Sequence, residues 1–204
     1  MTLSVDLFFS FRSPYSYLAL PKTLKLVADH DATVNLRPVY PLAVRVPGFF
    51  KRANPQFARY VVLDSSRVAK HENIPFRFPR PGPIVQNMAT LDVAEHQPYI
   101  HRLTRLGATA QVEGRSLGFV DAISRVLWNG TVNGWNEGDH LARAVAAAGF
   151  DLADGKQGAD PPRLMLTARH DSRTKTACKN ERARTDEATP WQMKPQRSPS
   201  MSRT

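Results

Sequence analysis

The N-terminal part of the chain contains two short apolar runs on either side of a longer segment with helical spacing. Val5–Phe11 is apolar except at two positions and predicts a short, largely buried strand. The segment that begins at Pro14 predicts a helix to about Asp29, which Pro21 is expected to kink or shorten. Residues 32–40 predict a second strand. A strand, a helix and a strand with short connections favour a right-handed βαβ unit with a parallel sheet.

The middle of the chain is predicted to be mostly helical. A helix is predicted from Pro55 to Glu72, after a loop at residues 47–55. Residues 74–83 contain four prolines and predict an extended loop, because proline removes a backbone donor and restricts the residue before it. Further helices are predicted over Ile84–Glu95, Pro98–Leu106, Ala108–Leu127 and His140–Ala148, with a break at Gly107.

The distribution of charge distinguishes the C-terminal quarter from the rest of the chain. The net charge is +10, yet residues 1–154 carry 17 Lys and Arg against 13 Asp and Glu, whereas residues 155–204 carry 11 against 5. The last segment also lacks sustained periodicity, so its apolar surface cannot offset the entropy cost of ordering. We therefore predict a folded domain over residues 1–154 and a basic, disordered tail over residues 155–204.

Metal and disulfide chemistry find little support in the sequence. Cys178 is the only cysteine, which excludes an internal disulfide and a Cys-x-x-Cys redox pair. The six histidines never lie three or four residues apart, so no metal site with helical spacing is predicted. No apolar stretch is long enough to cross a membrane and no signal peptide is evident, which favours the cytoplasm.

The start of the first predicted helix is the most informative local feature. Ser13 precedes Pro14, and proline is favoured at the first helical position. A serine just before that position can accept a hydrogen bond from a free amide group of the first turn. Ser13 is therefore predicted to cap the helix, and this interpretation stands beside any chemical role.

Several strings together carry a family resemblance. They are residues 6–18 (DLFFSFRSPYSYL), 36–42 (LRPVYPL), 47–50 (PGFF), 54–55 (NP), 76–81 (FRFPRP) and 96–100 (HQPYI). Over about its first 150 residues the chain resembles the glutathione-using 2-hydroxychromene-2-carboxylate isomerases. These belong to the DsbA-like group of thioredoxin folds, which also holds the kappa-class glutathione transferases.

The resemblance implies a particular α/β fold. It predicts a thioredoxin-like βαβ unit, a large helical insertion over about residues 47–148 and a closing ββα unit. The closing unit of the family opens with a Val-Pro-Thr-type turn, and neither this turn nor a Gly-Gln-Asp-like stretch occurs after Ala148. The C-terminal ββα unit is therefore expected to be missing, as in a truncated or frameshifted relative.

The resemblance also implies a reaction and a cofactor. Ser13 stands where a dithiol oxidoreductase has its reactive cysteine. A serine hydroxyl cannot exchange disulfides, but it can donate a hydrogen bond to the thiolate of bound glutathione. That thiolate would act as a borrowed nucleophile in the cis–trans isomerisation of a small aromatic substrate. Relatives further suggest a homodimer.

Three more residues are candidates for the site. In the family a matching asparagine and a nearby lysine line the active site, which points to Asn54 and Lys51. Arg80 lies in the proline-rich loop and could bind a carboxylate of the substrate or of glutathione. The ordinary alternatives are a turn asparagine, a surface lysine and a solvated loop arginine.

Aromatic residues near these candidates have two interpretations. Tyr15 and Tyr17 follow the helix start, where they could form a wall for an aromatic substrate or belong to the core. Trp128 and Trp135 flank a turn rich in Gly and Asn, and they are predicted to be packing residues.

Other functions remain open at this stage. A kappa-like transferase reaction would use the same thiolate on a different electrophile. An inactive, truncated relative is the second alternative, since the closing unit is not found. A nucleic-acid binder that acts through the basic tail is a third, although that tail has a single aromatic residue for base stacking.

Overall fold

The computed structural model describes residues 3–150, and the predicted tail lies outside the described residues. Strand β1 (Leu3–Phe9) and strand β2 (Ala32–Pro38) flank helix α1 (Pro14–Asp29). The two strands pair in parallel, with Leu3 opposite Ala32 and Phe9 opposite Pro38. The predicted βαβ order and parallel pairing are confirmed, and both strands end two residues earlier than predicted. The expectation that the first strand is largely buried is wrong, since Phe9 is its only buried residue.

Helix α1 begins as its sequence predicts. Ser13 is the N-cap in an extended conformation, and Pro14 occupies the first turn. Proline lacks an N–H, but a first-turn N–H makes no hydrogen bond within the helix, so nothing is lost there. The helix continues through Pro21 to Asp29 as one element. The expectation of a shortened helix is therefore wrong, because the flanking turns retain enough hydrogen bonds and packing to carry the helix across the proline.

One short helix precedes the segment predicted as a loop at residues 47–55, and a second lies within it, so this loop prediction is only partly correct. Helix α2 covers Leu42–Arg45 and helix α3 covers Phe49–Arg52. Gly48 lies between them with φ of 67°, in the left-handed region that glycine adopts without strain. Helix α4 (Gln56–His71) then follows within one residue of the predicted bounds at each end.

The helix predicted over Ile84–Glu95 is wrong. The segment has an isolated antiparallel bridge between Gln86 and Val93, and Asn87 directs the turn between them. The Asn87 side-chain oxygen accepts hydrogen bonds from the amides of Ala89 and Thr90, at 2.9 and 3.2 Å. Such local bonds compete with helical ones, which explains why apolar spacing alone misled the prediction.

The predicted helix break at Gly107 is also wrong. Helix α5 (Ile100–Val112) passes through Gly107, and the break comes at Gly114, where φ is 70°. A methyl group at Gly107 would lie 3.3 Å from Phe11 and from Pro38. Glycine at this position therefore allows α5 to pack closely against the ends of both strands, and it does not mark a turn.

Two further helices complete the described part. Helix α6 (Ser116–Trp128) packs on α1, α5 and helix α7 (His140–Ala147). Both predicted packing tryptophans are confirmed, since each is about 1% exposed. The fully buried core also includes Phe9, Phe11, Leu20, Leu36, Ile100, Leu103, Leu106, Phe119, Val120 and Ile123.

Candidate functional site

The turn between β1 and α1 holds Ser13 in a defined position. The Ser13 amide donates to the Ser10 carbonyl at 3.0 Å, which closes the turn. The Ser13 side-chain oxygen accepts from the Ser16 amide at 3.3 Å, and the Ser16 hydroxyl in turn accepts from the Ser10 amide at 3.3 Å. The predicted cap is therefore confirmed, and the hydrogen bond between Ser10 and Ser16 holds the same turn together.

The cap leaves the hydroxyl hydrogen of Ser13 available. A serine hydroxyl has one donor and two acceptor positions, and the cap uses only an acceptor. The N-terminal end of α1 lies beside it and carries the partial positive charge of the helix dipole. A donor and a positive field at one point are what a bound thiolate requires.

A second side of the site comes from α4, through a bond between Tyr15 and Asp64. The Tyr15 hydroxyl donates to the Asp64 carboxylate at 2.6 Å, which ties the first turn of α1 to the middle of α4. The pKa of the Tyr15 hydroxyl is raised to about 12, and partial burial is the larger cause, with the bond to Asp64 second. Tyr60, one turn before Asp64, adds a smaller increase of the same sign.

A partly exposed aromatic surface, in which Phe49 and Phe50 are half-buried, is formed by residues of α3 and α4. We call Phe49, Phe50, Phe57 and Tyr60 the aromatic face. The rings of Phe49 and Phe50 lie 5.2 Å apart, and both lie within about 6.4 Å of the Phe57 ring. Phe57 and Tyr60 are among the exposed large apolar side chains. Solvent-exposed aromatic residues grouped in this way mark a binding surface more often than a core.

Tyr17 belongs to the core instead. Its ring stacks on Trp128 at 6.4 Å, and its hydroxyl donates to the Pro75 carbonyl at 2.7 Å. Burial raises its pKa as well. Of the two tyrosines predicted near the site, Tyr17 is therefore a core residue, whereas Tyr15 is 38% exposed.

Lys51 and Asn54 lie at the end of α3 and have local partners. Lys51 forms an exposed ion pair with Asp92. The Asn54 side-chain oxygen accepts from the Gln56 amide at 2.8 Å, which makes it a turn residue at the start of α4. No hydrogen bond or ion pair joins either residue to Ser13 within the described range.

Arg80 lies in the proline-rich loop, where its backbone has a hydrogen-bond partner. Its carbonyl accepts from the Gly134 amide at 3.1 Å, and the next carbonyl, that of Pro81, accepts from the Trp135 indole at 2.6 Å. The peptide bond between Arg80 and Pro81 is cis. Its exposed guanidinium thus belongs to a loop tied to the turn before α7, and no bond connects it to Ser13.

Two residues at the site were not predicted from the sequence. Asp64 lies on α4 with a partner 49 positions earlier in the chain, and only its spacing of four from Tyr60 gave a signal. Arg12 precedes Ser13, and burial lowers the pKa of its guanidinium. Neither feature is visible without knowing which helix covers the turn.

The Tyr15–Asp64 bond can be tested by alkaline titration. Because the folded pKa is raised, Tyr15 stabilises the fold fully below about pH 10 and that contribution is lost as the pH rises towards about 12. Tyr15→Phe should remove the most alkaline phenolate transition seen by ultraviolet absorbance. Asp64→Asn should lower that transition but leave it above the ordinary tyrosine value, since burial is the larger cause. A wild-type transition at the ordinary value would contradict this assignment.

The described residues offer neither a metal-binding cluster nor a membrane-spanning helix. Within residues 3–150 no three His, Cys, Asp or Glu side chains are grouped so as to hold a metal ion. No helix in the same range is both long and apolar enough to span a membrane. Cytoplasmic location and a homodimer remain predictions.

Comparisons with known proteins agree with the described fold. Residues 4–179 match the model of the DSBA-like thioredoxin domain family. A solved structure of 2-hydroxychromene-2-carboxylate isomerase superposes with a TM-score of 0.54 at 20% sequence identity, covering 88% of this chain and 81% of that one. No curated protein sequence matches this chain significantly.

Proposed function

This chain belongs to the DsbA-like thioredoxin domain family, and from that premise we propose that it is a glutathione-dependent isomerase. Its proposed substrate is 2-hydroxychromene-2-carboxylate or a related small aromatic acid. The family likeness supports the fold and the place of the reactive group. The solved isomerase supports the choice of reaction only as the protein whose backbone this chain resembles.

The observation that carries the proposal is the hydrogen-bonding state of Ser13. Its oxygen accepts the cap hydrogen bond beside the first turn of α1, and within residues 3–150 its hydroxyl hydrogen has no acceptor. The sole cysteine of the chain, Cys178, is outside the described residues, and none of the residues around the turn supplies a thiol. The turn therefore fits a thiolate that arrives with a cofactor.

Glutathione and the side chains of this protein would have separate roles in the proposed reaction. Glutathione, when bound, would supply a thiolate that adds to the unsaturated centre of the substrate, permits rotation about the former double bond and is then recovered. The Ser13 hydroxyl would donate to the sulfur and hold it as thiolate before addition and after release. Phe57 and Tyr60 would pack against the aromatic ring of the substrate and orient it.

A thermal melt with glutathione tests the cofactor. At about 100 times its dissociation constant, a ligand of the folded state adds about 2.7 kcal/mol, which corresponds to roughly 5–10 °C for a chain of this size. We expect such a shift with glutathione and a smaller one with S-methylglutathione, which has no thiol. An unchanged melting temperature with glutathione would remove the cofactor from the proposal.

A spectroscopic assay tests the reaction. Incubation with 2-hydroxychromene-2-carboxylate should change the absorbance only when both protein and glutathione are present. An isomerase returns glutathione, so its concentration should stay constant while product accumulates. Stoichiometric loss of glutathione would instead identify a transferase reaction, and no change in absorbance would point to the inactive alternative.

A further inference from the structure

Arg12 is the least compensated charge near the candidate site. Its side chain is half-buried, and its Nε is shielded from solvent with no hydrogen-bond partner in the part of the chain that the structure describes. The Ser10 hydroxyl, two residues earlier in the same turn, is shielded and unpartnered in the same range. Folded proteins seldom leave such polar atoms unsatisfied unless the site has a role.

The acidic side chains of β1, α4 and α6 already have other partners. Asp6 bonds to Arg37, Asp64 to Tyr15 and Asp121 to Arg125. No ion pair to Arg12 forms within residues 3–150. A partly dehydrated guanidinium without a counter-ion raises the free energy of the folded chain, and an anion from outside would relieve that cost.

The position of Arg12 indicates where such an anion would lie. Arg12 directly precedes Ser13, so its backbone is fixed by the turn that Ser10 and Ser13 close. The carbonyl of Phe11, on its other side, accepts from the Trp128 indole at 3.2 Å. Arg12 is therefore held from both sides, next to the place where the reactive thiol is proposed to sit.

We propose that Arg12 binds a carboxylate of the molecule that reacts beside Ser13. The inference rests on the proposed function for the presence of that molecule. A guanidinium presents a planar array of donors that matches the two oxygens of a carboxylate, and partial dehydration strengthens the bond. The carboxylate belongs either to glutathione or to the aromatic acid, and the two sources can be separated experimentally.

The experiment compares acids with neutral analogues on the full chain. One arm titrates glutathione against its diethyl ester, in which both carboxylates are esterified, and the other titrates 2-hydroxycinnamate against 2-hydroxycinnamamide, each by calorimetry. In the wild type, the acid of one pair should bind at least tenfold more tightly than its neutral analogue. Arg12→Gln should abolish that preference and Arg12→Lys should retain part of it. Arg143→Gln, which removes an exposed arginine of α7 paired with Asp139, should leave it unchanged.

A melt without ligand separates this role from a structural one. Because Arg12 has no carboxylate partner in the described range, Arg12→Gln should melt at or above the wild-type temperature. A marked loss of stability, or an acid preference that survives in Arg12→Gln, would overturn the proposal, as would the lack of preference for either acid in the wild type. The 2-hydroxycinnamate arm contains no glutathione, so it can succeed or fail independently of the cofactor.

Discussion

Replacing Trp128 with Ala is expected to lower the free energy of unfolding by about 3–5 kcal/mol, the largest stability effect we predict. The side chain is about 1% exposed. Its ring stacks on both Tyr17 and Phe76, with centroid distances of 6.4 and 5.8 Å, and meets the Phe78 ring edge-on at 5.7 Å. Truncation would leave a large cavity with three aromatic walls.

The effect should reach the candidate site as well as the core. The Trp128 indole donates to the Phe11 carbonyl, and the Trp128 carbonyl accepts from the Arg77 amide at 2.6 Å. The same residue thus joins α6 to the Ser13 turn and to the proline-rich loop. Trp128→Phe keeps most of the stacking but leaves the Phe11 carbonyl without its donor, which costs about 1–3 kcal/mol.

Urea unfolding and a thermal melt would measure both variants. For a chain of this size, the loss in Trp128→Ala corresponds to a fall in melting temperature of roughly 6–20 °C. Val112→Ala is the matched control, because Val112 is 73% exposed at the end of α5 and its truncation should cost less than about 0.5 kcal/mol. Equal losses in Trp128→Ala and Val112→Ala would show that the aromatic stack does not stabilise the fold.

The N-terminal unit could be predicted because its signals are local. A serine followed by a proline indicates where α1 begins, and the short apolar runs on either side of the helix indicate two strands, which pair in parallel. These signals depend on a few neighbouring residues, so tertiary packing does not override them. The motif strings then narrowed the fold further, because they are specific to one family.

The errors occurred where distant contacts decide the backbone. Gly107 marks a break by its local preference, but α5 must approach Phe11 and Pro38 there, and tertiary packing determines the outcome. In the segment from Ile84 to Glu95, the buried Gln97 side chain bonds both the amide and the carbonyl of Val85, at 2.8 and 3.0 Å. A helix would have removed those bonds.

The candidate site was predictable to the same limited extent. The cap at Ser13 is a local device and its geometry is confirmed. The Tyr15–Asp64 bond requires α4 to lie across the start of α1, and the shielding of Arg12 also depends on the elements that cover the turn. The sequence thus indicates the position of the site, while its charge balance depends on tertiary packing.

Replacing Ser13 is expected to have the largest effect on activity. Ser13→Ala removes both the cap and the proposed thiolate donor. We expect kcat/KM with glutathione to fall about 10- to 100-fold, the range for loss of a hydrogen bond to a charged group. The same variant should lose about 0.5–2 kcal/mol of stability, since the Ser16 amide no longer has its acceptor.

Two companion substitutions separate these roles. Ser13→Thr keeps a hydroxyl and should retain both stability and most of the activity. Ser13→Asp keeps a good capping oxygen, so its melting temperature should stay close to that of the wild type. Its carboxylate cannot donate at neutral pH and repels a thiolate, so its activity should fall below that of Ser13→Ala.

The pH dependence of the rate distinguishes thiolate stabilisation from mere folding. A donor to the sulfur favours the thiolate and lowers the thiol pKa, so removal of that donor in Ser13→Ala should raise the apparent pKa of the rate profile by about 1–2 units. A helix cap alone changes the amount of folded protein and leaves this pKa where it was. If Ser13→Asp keeps the wild-type stability, activity and pH profile together, Ser13 is a cap and the sulfur is held by other groups. If its stability survives while its activity is lost, the hydroxyl hydrogen is the part of Ser13 that the reaction uses.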